Sequence, residues 1–129
     1  MTSLAHSRYR IAVVGIVVTG LGAGSRLWPL GFAVWDDHLG DACYAAMICV
    51  VLAVALPAWT RTRRALLALS IGASIESFQA TGHPAAWARA FRPLALVFGT
   101  TFSWQDLVAQ AVGVALAAAA LPGRNVSAR

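Results

Sequence analysis

Apolar residues fall along this chain in four runs separated by short polar intervals, each close to the length of a bilayer-crossing helix. The first, IAVVGIVVTGLGAGS, occupies residues 11–25. At 1.5 Å per residue it covers roughly 22 Å of a hydrocarbon core about 30 Å thick, so it needs Arg10 to snorkel and LWPLGF beyond Arg26 to extend it. A signal peptide is the competing reading, with HSRYR as its basic region and Ala23 and Ser25 ahead of a cut. The second run, ACYAAMICVVLAVALPAWT at 42–60, is long enough to span without a charge. The third begins at Ala65 and contains Glu76. The fourth, LVAQAVGVALAAAALPG at 107–123, is stopped by Pro122 and Gly123. The pattern predicts an all-α fold: an integral membrane bundle of four transmembrane helices, with spans at about 10–30, 41–58, 65–82 and 104–122, forming a single domain over residues 1–129. Between spans three and four, PLALVFGTTF is too short to cross and reads as a short interfacial or re-entrant segment.

Composition sharpens this picture. The chain is 59% hydrophobic and 12% charged, about half the charge of a typical soluble domain. A 129-residue soluble protein cannot bury that much apolar surface, whereas lipid covers it. The ten basic residues are all arginine. They lie between apolar runs, where they act as topology signals rather than as a nucleic-acid stripe. Arg8, Arg10, Arg61, Arg63, Arg64, Arg124 and Arg129 fall on one side of a four-span bundle, against Arg26, Arg89 and Arg92 on the other. The positive-inside rule then puts both termini in the cytoplasm. The five acids, Asp36, Asp37, Asp41, Glu76 and Asp106, all fall in outer segments or outer span ends, an asymmetry that topology does not require.

Polar and small residues share helix faces. Gly72, Glu76, Gln79 and His83 are spaced 4-3-4, as are Asp106, Gln110, Gly113 and Ala117, and Gly15, Thr19, Gly22 and Arg26. In each stripe small residues lie deeper, where they let backbones approach, and polar ones lie outward, where they bond across helices. Counting 1.5 Å per residue from Arg64 and Gly123 puts Glu76 about 18 Å and Gln110 about 20 Å up, with Gln79 and Asp106 at roughly 24–26 Å. The predicted cluster is Arg26, Asp41, Glu76, Gln79 and Asp106, with Gln110 beneath. An ionised acid near mid-membrane costs about 2.5–3.5 kcal/mol. Glu76 must therefore be paired, protonated or wet, and Arg26 is the charged partner at comparable depth.

Two motifs in these stripes carry a resemblance. ESFQ (ExxQ) closing span three, followed by SWQDLVAQAVG (DxxxQxxG) opening span four, resembles the VanZ-like membrane proteins. LGD at 39–41, the ExxQ and FSWxD at 102–106 are similar to a group of small bacterial membrane proteins classed as a domain of unknown function. The resemblance covers about residues 10–122. It implies a four-helix bacterial inner-membrane protein with Asp41, Glu76, Gln79, Asp106 and Gly113 at motif positions. Gln110 stands where VanZ-like proteins usually carry Asn. Their link to glycopeptide resistance transfers here only by analogy of fold.

For function, the residues predict an outward-facing polar pocket that binds a small polar or lipid-head-group ligand within the bilayer. The alternatives are a membrane-embedded enzyme acting on a lipid-linked envelope precursor, and a structural subunit of a larger membrane complex or homo-oligomer. No nucleophile with a base accompanies Glu76 and Asp106, so no catalytic residue is assigned. No metal-ligand spacing occurs, and no cofactor is implied. Cys43 and Cys49 lie on different helix faces and read as small buried hydrophobes. His38 and His83 read as structural residues at loop borders. The five tryptophans sit near span ends as an aromatic belt.

Overall fold

The computed structural model describes residues 2–95 and 101–123. Among them the chain is all-α, with no strand. Helix α1 runs Thr2–Leu27, a π-helical turn Val34–His38 leads without a break into α2 (Leu39–Ala55), and α3 runs Arg61–Ala80. The short α4 (His83–Ala90) and then α5 (Trp104–Ala120) follow. Arg124 and Arg129, which enter the topology count, and residues 96–100 of the PLALVFGTTF segment lie outside the described residues.

Helix boundaries follow local chemistry. α1 starts at Thr2 rather than near residue 10, since no Gly or Pro interrupts the chain before Gly15. The second helical run likewise starts at Val34 instead of 41. Asp36 secures its entry by accepting the backbone N–H groups of Leu30 (2.8 Å) and Gly31 (2.7 Å), and the Trp35 indole donates to the Trp28 carbonyl at 2.9 Å. Thr60 caps α3 by accepting the Arg63 N–H at 3.3 Å. Gly82, at φ 76°, ends it in the left-handed region that favours glycine. His83 therefore opens α4 instead of continuing the polar stripe of α3, and its ring stacks on Phe78.

Two helices are long and apolar enough to cross a membrane, Leu4–Leu27 and Val34–Ala55. Both exceed the ~30 Å core at 1.5 Å per residue. α3 carries Arg61, Arg63 and Arg64 in its first turn and Glu76 near its end, so composition alone does not mark it as a span. α5, a largely apolar helix of 17 residues, reaches only about 26 Å.

α2 is the hub. It contacts α1, α3, α5 and the π-helical turn, and it packs most extensively against α5. The core is built from small side chains, with Ala45, Ala46, Cys49, Ala53, Ala68 and Ala117 all buried. The closest approach is at Gly113 of α5, where a Cβ would run into the backbone carbonyl of Ala42. Cys43 and Cys49 are buried and unpaired. The carbonyl-rich end of α5 is covered by arginines: Arg10 donates to the Ala120 carbonyl and Arg64 to that of Pro122. Cations at a helix C-terminus satisfy orphan carbonyls and complement its dipole. Arg64 is 4% exposed, so it is an interior brace between α3 and α5 and not only a boundary charge.

Candidate functional site

Four helices bring polar side chains to the end of the bundle where α1 finishes. Arg26 comes from the last turn of α1 and Asp41 from the first turn of α2. Glu76 and Gln79 come from the end of α3, and Asp106 and Gln110 from the first turns of α5. Each is where helical periodicity places it on its own helix.

The deepest contact is a hydrogen bond from Gln110 Nε2 to Glu76 Oε1 of 2.9 Å, with both residues buried. Gly72 makes it possible. A Cβ at that position would overlap the Gln110 carbonyl oxygen. Glu76 is only 3% exposed. Its second oxygen, Oε2, is buried and makes no hydrogen bond of full geometry among the described residues, although the Ser103 backbone at the start of α5 lies close enough to interact with the carboxylate. Outward from this pair, Arg26 Nη2 lies 3.8 Å from Asp41 Oδ1, and His38 Nδ1 lies 3.6 Å from Asp106 Oδ1. Asp41, Glu76 and Asp106 are all near enough to act on one another electrostatically. No group of three His, Cys, Asp or Glu among the described residues has the geometry to hold a metal ion.

A cavity of about 360 Å³ opens over this cluster, within the usual range for small-molecule sites, about 300–1,000 Å³. Arg26, Asp41, Glu76, Gln79 and Gln110 line it together with Val18, Met47 and Ile75. Its sides are α1 and α3, which barely touch each other, and α2 forms the back wall. Among the described residues the cavity is thus a cleft between these two helices, with Ala95 of the segment after α4 also on its lining.

The sequence-derived cluster residues are distributed as follows. Arg26, Asp41, Glu76, Gln79 and Gln110 share the cleft, while Asp106 stands behind it against His38. Glu76 takes the neutral amide of Gln110 as its partner, and Arg26, the charged partner expected from depth, pairs with Asp41. Arg89 and Arg92 are exposed and form no ion pair among the described residues. Sequence reading missed His38 as a neighbour of the cluster. The signal was its spacing of three from Asp41, which places both on one face once the helix is seen to run through the π-helical turn. Thr19 and Tyr44 also line the cleft. Thr19 spends its hydroxyl on the Gly15 carbonyl of its own helix, at 2.8 Å.

No curated protein and no solved structure matches the chain. A family model, described as a protein of unknown function (DUF2809), matches residues 31–114. That stretch holds Asp41, Glu76, Gln79, Asp106 and Gln110, and leaves Arg26 and α1 outside. With 84 of 129 residues matched, the chain belongs to the DUF2809 family.

Proposed function

We propose that the cleft is a ligand-binding site in a multi-pass membrane protein, taking a small polar molecule or a lipid head group from the outer side of a bacterial inner membrane. In this reading α1, the Val34–Ala55 run, α3 and α5 all span, and both termini are cytoplasmic. The distribution of arginines supports the orientation, with Arg61, Arg63 and Arg64 at one end of the bundle and Arg26 at the other. A relation to the VanZ-like proteins rests on the ExxQ of Glu76 and Gln79 and the DxxxQxxG that begins at Asp106.

One observation carries the binding reading: Glu76 is buried at the lining of a cleft with one carboxylate oxygen lacking a hydrogen-bond partner among the described residues. A purely structural network would close around its acid, because an unpaired buried acceptor costs about 1–3 kcal/mol. Acids inside a membrane protein are costly and mark functional sites.

Native mass spectrometry of the gently purified protein tests this, alongside Glu76→Gln and Asp106→Asn variants. The expected result is a co-purifying small molecule or lipid in wild type that both variants lose while melting at the same temperature. Empty spectra from three equally stable proteins would transfer the cluster to a structural role, in which Gln110 and Glu76 simply join α5 to α3.

A further inference from the structure

Acidic groups outnumber basic ones around the cleft, and their arrangement describes the ligand. Three carboxylates, Asp41, Glu76 and Asp106, lie within electrostatic reach of one another. One guanidinium, Arg26, and one imidazole, His38, oppose them. Arg26 sits at the rim with its side chain 61% exposed, whereas Glu76 is at the floor. The site is therefore polarised, with an acceptor-rich interior and a cationic edge. An anionic group would meet the Glu76 carboxyl at the floor, and its natural place is the rim beside Arg26.

The floor asks for a donor. Glu76 Oε1 already accepts from Gln110, and Oε2, on the same cleft-lining residue, is buried with no hydrogen-bond partner of full geometry among the described residues. A primary ammonium supplies three N–H donors and a compensating charge. A quaternary ammonium supplies none, and it is recognised instead by cages of aromatic rings. The cleft offers Tyr44 as its sole aromatic lining residue among those described.

The walls indicate the source. Among the described residues the cleft lies between α1 and α3, with Val18 and Ile75 on its sides and Met47 of α2 at its back. In a bilayer that gap faces lipid, so a head group enters sideways while its acyl chains stay in the hydrocarbon.

Resting on the binding reading above, we propose that the cleft recognises a primary ammonium joined by a short linker to a phosphate, as in an ethanolamine phospholipid head group, with the ammonium on Glu76 and the phosphate beside Arg26.

The test presents wild type, Glu76→Gln and Arg26→Gln with an equimolar mixture of ethanolamine, choline and glycerol phospholipids of identical chains. Lipid retention is read by native mass spectrometry. Wild type is expected to retain the ethanolamine lipid roughly tenfold over the other two, the worth of about one charge-assisted hydrogen bond. Glu76→Gln is expected to erase that preference. Arg26→Gln should lower retention of all three and leave their order unchanged. Soluble glycerophosphoethanolamine in excess then separates the sources: displacement places the affinity in the head group, and continued retention of the lipid requires its chains as well. Both of these outcomes support the site.

Equal retention of ethanolamine and choline lipids, or preference for the anionic glycerol lipid, would overturn the ammonium assignment while leaving a binding site in place. An absence of any adduct on folded wild type would overturn the binding reading itself. Should Glu76→Gln fail to fold, the wild-type contrast between ethanolamine and choline lipids still decides the matter.

Discussion

The two sides of α2 are built in opposite ways. On one side α5 lies so close that Gly113 touches the backbone of Ala42, and alanines and Val114 fill the seam. On the other, α1 and α3 stand apart and leave a cleft of about 360 Å³ with a buried acid at its floor. Close approach needs small residues in register on both helices, and the Gly113–Ala117 stripe facing Ala42, Ala45 and Ala46 supplies them. Glu76, Gln79 and Arg26 are too large and polar for such a seam, so the helices that carry them stay separated. The tight side holds the bundle together, and that leaves the loose side free to keep an oxygen without a hydrogen-bond partner among the described residues.

Substitutions should expose this contrast, the largest effect coming on the tight side. Gly113→Ala places a methyl against a backbone carbonyl that cannot swing away. A loss of about 1–3 kcal/mol is expected, the cost of overpacking, read as a lowered melting temperature in detergent. A neutral outcome would show that the α2–α5 seam is looser than its geometry.

Next in size is Gln110→Leu, which removes the donor to Glu76 and leaves a second acceptor unpaired in a buried place. It should cost about 1–3 kcal/mol, and Glu76→Leu in the same protein should restore much of the loss, because the unpaired group is then gone. Coupling near zero in that double-mutant cycle would mean that the hydrogen bond contributes little. Interhelical bonds in bilayers average about 0.6 kcal/mol, which sets the scale of the comparison.

Gly72→Ala reaches the same pair from behind. The displaced atom is the end of a flexible side chain, so Gln110 rotates and the fold survives. The expected effect is a small change in melting temperature with a clear loss of ligand retention. The reverse, a large loss of stability with retention intact, would place Gly72 in the packing seam instead. Arg26→Gln should have the smallest effect on stability. Its ion pair with Asp41 is 3.8 Å long and exposed, and such pairs contribute about 0–1 kcal/mol.

Much of this was legible along the chain because helices impose their own periodicity. The stripe of Asp106, Gln110, Gly113 and Ala117 shares a face by spacing alone, and Gln110, Gly113 and Ala117 are buried together on it. The rise per residue set Glu76 and Gln110 at nearly equal heights, and they form a hydrogen bond. Gly82 could have marked the end of α3 before His83, but a 4-3-4 spacing continues through a glycine without announcing that the backbone turns there.

What periodicity leaves open is which neighbour each face meets. Nothing in the order of residues assigns Asp41 rather than Glu76 to Arg26, brings His38 beside Asp106, or buries Arg64 against the carbonyl of Pro122. Those pairings depend on the rotation and separation of whole helices, set by how small residues along α2 admit α5 and α1. The sequence by itself determined the all-α character, the family, two helices long and apolar enough to cross a membrane, and the polar residues of each face. The tertiary structure decided the partners and opened the cleft, because contacts between helices far apart in sequence are selected by three-dimensional fit and not by spacing along any one of them.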